Sequence, residues 1–176
     1  MALIKTVRGY TPEFGKECWL AENATVVGQV RTGEKCTIWF NAVVRGDVNA
    51  IEIGDRTNIQ DNVTIHGTFE KAATKIGNDV SVGHNAMIHG CTLEDNVLIG
   101  MGAIVMDGAV IKRGSIIAAG AVILEGTIVE ENSLYAGVPA KKVKDISGKN
   151  AEMLTRISKN YIKYASWFKE DEETGK

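Results

Sequence analysis

Apolar residues recur along this chain at a spacing of six. One series runs Leu20, Val26, Thr32, Ile38 and Val44; a second Ile53, Ile59 and Ile65; a third Ile76, Val82 and Ile88. A fourth runs from Leu93 through Ile99, Val105, Ile111, Ile117, Ile123 and Val129 to Tyr135. Four positions after each stands a small or β-branched residue, among them Ala24, Cys36, Ala42, Thr57, Val80, Ala86, Ala103, Ser115 and Ala121. An amphipathic helix needs apolar residues three and four apart, and a hairpin sheet needs strict alternation, so neither explains this step. A chain that turns a corner after every short strand does, because the leading aliphatic points inward and the small residue eases the bend.

The expectation is therefore an all-β solenoid, a parallel β-helix of hexapeptide repeats over residues 20–140. Residues 1–19 supply a leading strand and turns, and residues 141–176 a linker and a C-terminal capping helix. Proteins with this repeat characteristically coil as left-handed triangles of about 18 residues per rung; the left-handed sense comes from that likeness and not from the spacing. Three interruptions shift the register. Val44 to Ile53 is nine residues, Ile65 to Ile76 is eleven and Ile88 to Leu93 is five. The eleven-residue step holds GTFEKAATK, a polar loop bulging from a corner. After AGVPAKKVKDISGK the period becomes helical, with Met153, Ile157, Tyr161, Tyr164 and Phe168 on one stripe from Ala151 to about Lys169 and Ser147 or Asn150 as the cap.

The rhythm sorts the three histidines of the chain. His66 and His89 each follow the aliphatic of their repeat and lie 23 residues apart; without the five inserted residues this is 18, one rung. Arg45 follows Val44 in the same way, so Arg45, His66 and His89 form one outward column. Asp61 and His84 form a second column at a neighbouring corner, with Gln60 beside Asp61. Neighbouring rungs lie about 4.8 Å apart, close enough for two stacked imidazoles to share an ion at about 2.0–2.1 Å each. If His84 points away, a third ligand has to come from another copy of the chain, which favours a cyclic oligomer such as a trimer.

Composition narrows the rest. With 20 basic against 22 acidic residues there is no electrostatic footprint for nucleic acid or an anionic membrane surface. Cys18, Cys36 and Cys91 are odd in number and lack ligand or redox spacing, so they read as small core residues of a cytoplasmic protein. The first residues lack the unbroken apolar core of a signal peptide. The most apolar region, 97–126, is broken by charges and glycines and does not read as a membrane span.

The runs VVRGDV at 43–48, TNIQDNVTIH at 57–66, VGHNAMIHGC at 82–91 and AGVPAK at 136–141 resemble the gamma-class carbonic anhydrase family of left-handed β-helix proteins. The resemblance covers most of the chain. It implies a homotrimer with metal sites at the subunit interfaces, each using His66 and His89 of one subunit and His84 of the next. It further implies a zinc ion, or Fe2+ or Co2+ in its place, and reversible hydration of carbon dioxide by metal-bound hydroxide. By the same resemblance Arg45 pairs with Asp61 across the interface, Gln60 contacts the metal-bound water, Asp47 and Asn58 lie close by and Tyr135 helps to close the pocket; in such a site Gln60 would orient the hydroxide and Asn58 polarise the substrate. The best-known members carry a longer acidic loop after the first histidine, whereas GTFEKAATK offers only Glu70, which implies weak or regulated turnover.

Two readings compete with hydration: hydrolysis of an acyl-CoA thioester at the same metal, and a metal-binding trimer without activity. A hexapeptide acyltransferase is less favoured, since it needs a histidine free to act as base and all three are absorbed in one cluster.

Overall fold

The computed structural model describes residues 1–147 and 149–174, the side chains of 149–151 and 172–174 excepted. Short strands stack in parallel into a solenoid. Along one face seven of them lie in order: Trp19–Leu20, Thr37–Ile38, Asn58–Ile59, Ser81–Val82, Leu98–Ile99, Ile116–Ile117 and Ser133–Gly137. The other two faces join into one sheet because the strands Thr25–Thr32 and Val43–Ile53 run through a corner without a break.

The register follows the six-residue step and its interruptions. Val26, Val44, Ile65, Ile88, Val105 and Ile123 are successive partners on one face. All six are buried and form the spine of a single core. On the next face Ile53 pairs with Ile76 and Ile76 with Leu93, so the rung that lacks one residue is absorbed at the turn after Ile88. The insertion before Ile53 is a bulge rather than a loop: the ladder shifts between Gly28 and Val30 as the strand Val43–Ile53 passes its neighbour. Glycine is required at this crossing, because a Cβ on Gly28, whose φ is +75°, would collide with the carbonyl oxygen of Gly46.

The C-terminal part differs from the expectation. Residues 141–147 are not a linker: the strand Ala140–Asp145 folds back antiparallel on Ser133–Gly137 and covers the edge of the last rung. The helix Lys149–Thr174 begins earlier and ends later than its stripe suggested, and it lies along the side of the coil rather than over its end. Of the two expected caps, Ser147 stands two residues before the helix and Asn150 lies within its first turn, its side chain outside those described. Among its described side chains Leu154, Ser158 and Ala165 are buried, the first two one step off the Met153 and Ile157 of the expected stripe. Small residues allow the helix to sit close on the strands Thr37–Ile38 and Ser81–Val82. Tyr161 and Phe168 do pack as expected, against Trp39, with Trp19 and Phe40 completing the cluster around Phe168. Among the described residues no helix is long and apolar enough to cross a membrane.

Candidate metal centre

His66 and His89 end the strands Thr64–His66 and Met87–His89 and are direct register partners. Each follows a fully buried isoleucine, so strand alternation turns both imidazoles out of the core. His66 Nδ1 and His89 Nε2 face each other at 3.3 Å. The outer nitrogens are both held by carboxylates: His66 Nε2 lies 3.0 Å from Asp47 Oδ1, and His89 Nδ1 lies 2.5 Å from Asp107 Oδ1. A neutral imidazole carries one N–H. If each ring donates it to its carboxylate, the two facing nitrogens present bare lone pairs and cannot bond each other. A cation between them resolves the repulsion. Two nitrogens about 2.0–2.1 Å from one tetrahedral ion stand roughly 3.3–3.4 Å apart, the separation observed here. A carboxylate on the far nitrogen is also the usual support of a metal-ligating histidine.

Arg45 pairs with Asp47 within the chain, Nη1 to Oδ2 at 2.5 Å. Burial pushes the Asp47 carboxyl up, but the hydrogen bonds from His66 and Arg45 outweigh it, so the group lies below its ordinary value. Asp47 is thus an anion at neutral pH, suited to accept from His66.

The second corner is built by turn chemistry. Asn41, Asn62, Asn85, Gly102 and Gly120 all take positive φ, the left-handed conformation that asparagine and glycine adopt most readily. The amides of Asn85 and Gly102 donate to the carbonyls of Asp61 and His84, which locks the turns in line. Asp61 and His84 immediately precede two of these asparagines, and His84 Nδ1 meets Asp61 Oδ2 at 2.7 Å. Beneath them runs a buried chain of amides. Asn58 Nδ2 donates to Ser81 Oγ, Gln60 Nε2 donates to Asn58 Oδ1, and His84 N donates to Gln60 Oε1, at 2.8, 3.0 and 3.2 Å. This network fixes the backbone that carries His84. From the C-terminal helix, Tyr161 Oη reaches His84 Nε2 at 3.4 Å. Burial pushes its phenol up to about 12, so it remains a donor.

One chain therefore gathers Arg45, Asp47, His66 and His89 at one place and Asn58, Gln60, Asp61 and His84 at another. Among its described residues no group of three or more His, Cys, Asp and Glu is arranged to hold a metal ion. Tyr135 joins neither group: it is a core residue in register with Ile117, two further rungs beyond the one that pairs with Val82. Asn58 is 1% exposed, which within a single chain leaves it supporting Gln60 rather than reaching a small molecule.

Asp107 was not picked out by the six-residue spacing. It stacks beside Gly90, whose amide neighbourhood is fixed by Gly108 N donating to Gly90 O at 2.7 Å. With no side chain at Gly90, the carboxylate reaches sideways to His89; a Cβ there would strike Asp107 Oδ1. Thr68, in the loop after His66, donates to the other Asp107 oxygen, and Lys71 from the same loop meets Glu125 at 2.8 Å one rung further. Burial raises the Asp107 carboxyl, and the hydrogen bonds from Thr68 and His89 more than reverse this, leaving it below its ordinary value. The loop bulges from its corner as the composition predicts, with residues 69–71 exposed, and is tied down beside His89 by Thr68.

The fold and the paired columns define a hexapeptide-repeat protein of the β-helix class. Residues 73–107 and 90–125 match the family described as bacterial transferase hexapeptide (six repeats). The chain is 41% identical over 167 residues to the carbonic anhydrase of Geobacillus kaustophilus, covering 95% of this chain and 91% of that protein. It is 38% identical over 160 residues to the mitochondrial gamma carbonic anhydrase 2 of Arabidopsis thaliana, covering 88% of this chain but only 58% of the plant protein. Among solved structures, a hexapeptide transferase family protein from Anaplasma phagocytophilum is 38% identical with a TM-score of 0.90, covering 94% of this chain and 98% of the other. The chain belongs to the gamma-class carbonic anhydrase family.

Proposed function

We propose that this protein is a metal-dependent carbonic anhydrase that works as a homotrimer, each site taking His66 and His89 from one subunit and His84 from the next. One observation carries the reading: two imidazoles that each set one nitrogen against a carboxylate, Asp47 and Asp107, turn their other nitrogens toward each other at 3.3 Å. A divalent ion, zinc or iron or cobalt in its place, supplies water of lowered pKa near neutral pH when bound there.

The surfaces around the two columns support the trimer. His66 and His89 are continued along their face by Met106 and Leu124, with Met87 and Ile104 beside them, all exposed large apolar side chains. The His84 column continues into Met101, 60% exposed. An apolar patch beside His66 and His89 and an exposed methionine beside His84 are two different surfaces, which suits a head-to-tail contact that closes into a ring.

Within that arrangement the chain's own groups have separable roles. Asp47 and Asp107 hold the two imidazoles in the tautomer that leaves a lone pair for the ion. Gln60, fixed by Asn58, sets the position of His84 and offers its amide next to the reacting water. Arg45 balances the charge of Asp47 and lies on the face that meets the neighbour, where Asp61 is its expected partner. Proton release depends on the loop. Glu70 is exposed there, whereas Thr68 and Lys71 are committed to Asp107 and Glu125, so turnover is limited by proton transfer to external buffer.

Stopped-flow carbon dioxide hydration by the zinc-, iron- and cobalt-loaded protein tests the reading. The expected result is hydration that a chelator abolishes and that rises with buffer concentration. Hydrolysis of acyl-CoA thioesters without hydration, or metal binding with neither activity, overturns it.

A further inference from the structure

Asp107 is placed to decide which nitrogen of His89 carries the proton. It accepts from His89 Nδ1 at 2.5 Å and also from Thr68 Oγ1, so both carboxylate oxygens are engaged. Two features of the chain make this contact. The step from Ile88 to Leu93 is one residue short, and Gly90, at φ +54°, leaves room that a Cβ would fill. Without Asp107 the His89 proton is free to move to Nε2, where it would be donated across the 3.3 Å gap to His66 Nδ1. The facing pair would then be an ordinary hydrogen bond between histidines, with one metal-binding lone pair lost and the other occupied.

We propose that Asp107 is the positioning residue for His89, with Thr68 engaging its second oxygen. The proposal rests on the metal reading given above, but its first readout does not need the metal. Long-range proton–nitrogen NMR of the full chain carrying 15N-histidine, at pH 8 with chelator, reports the tautomer of each ring directly. The parent shows His89 protonated on Nδ1, and Asp107→Ala moves that proton to Nε2. Titration of zinc against a chromophoric chelator then shows a loss of affinity of about 10- to 100-fold for Asp107→Ala. The Asp107→Asn variant, which keeps the shape and one acceptor oxygen, loses less and guards against a folding defect in the alanine variant. Lys71→Ala releases the same loop at Glu125 without touching a histidine, and leaves both tautomer and affinity unchanged.

An Asp107→Ala protein that keeps the Nδ1 proton and binds zinc within twofold of the parent overturns the proposal. So does a Lys71→Ala protein that loses as much as Asp107→Ala, since the effect would then belong to the loop. A parent that binds no zinc while its His89 tautomer still follows Asp107 leaves the positioning role standing and removes the metal reading instead.

Discussion

His66 and His89 are direct partners on adjacent strands although 23 residues separate them, while His84, five residues from His89, lies on another corner and bonds Asp61. Sequence distance is a poor guide here because each corner turns the chain onto a new face. Stacking distance is set instead by the rung, and the rung brings together residues that a local motif search would separate.

The apolar patches give a first prediction. Met106→Glu places a charge on the exposed face beyond His89, where burial against a neighbour would leave it unpaired. The variant should remain folded by circular dichroism, sediment as a smaller species than the parent and lose stoichiometric metal. A trimer with full metal content would show that this face is not the contact.

A second prediction concerns the core. Ile88 is fully buried and lies directly before His89. Ile88→Ala should cost about 2–5 kcal/mol in denaturant unfolding, because the close-packed column cannot collapse into the space. Ile128→Ala, at a position 60% exposed, should cost less than about 0.5 kcal/mol.

Acid should loosen the C-terminal helix. Arg56 donates to both oxygens of Asp79 at 2.8 Å, and Ser158 of the helix donates to the same carboxylate at 3.1 Å. The Arg56 guanidinium holds the Asp79 carboxyl below its ordinary value despite some burial. A group depressed in the folded state contributes its stability fully above the unfolded value of about 3.9 and loses it as pH falls through the lower folded value. Asp79→Asn should therefore lower stability at pH 7 by about 1.5 kcal/mol and flatten the loss below pH 4. Stability curves from tryptophan fluorescence, which Trp39 beside Tyr161 and Phe168 should report, check both.

Much of this was legible in the sequence. The six-residue step exposed the rungs, and the three interruptions gave the correct stacking of Val44 on Ile65 and Ile65 on Ile88. The C-terminal segment was harder. Ala140–Asp145 looks like a linker because its lysines and aspartate carry no apolar alternation, yet an edge strand needs none when its backbone is paired. The helix stripe holds in its second half, where Tyr161, Tyr164 and Phe168 pack as the spacing predicts, and shifts by one position in the first, where Leu154 and Ser158 are buried in place of Met153 and Ile157 because small side chains let the helix sit close on the strands. Asp107 was hidden for a different reason. Its contact with His89 is sideways across Gly90, a relation that a count of positions in register does not contain.

The central claim is that each metal site is shared between subunits, and complementation tests it most directly. A His84→Ala chain and a His66→Ala/His89→Ala chain each lack part of every site, so neither should hold stoichiometric zinc alone. Co-expressed and purified as mixed trimers, they should regain zinc at those interfaces where the intact His66 and His89 of one chain meet the intact His84 of the other. Mixed trimers as empty as the separate variants, or a His84→Ala chain that keeps full zinc by itself, would contradict the account.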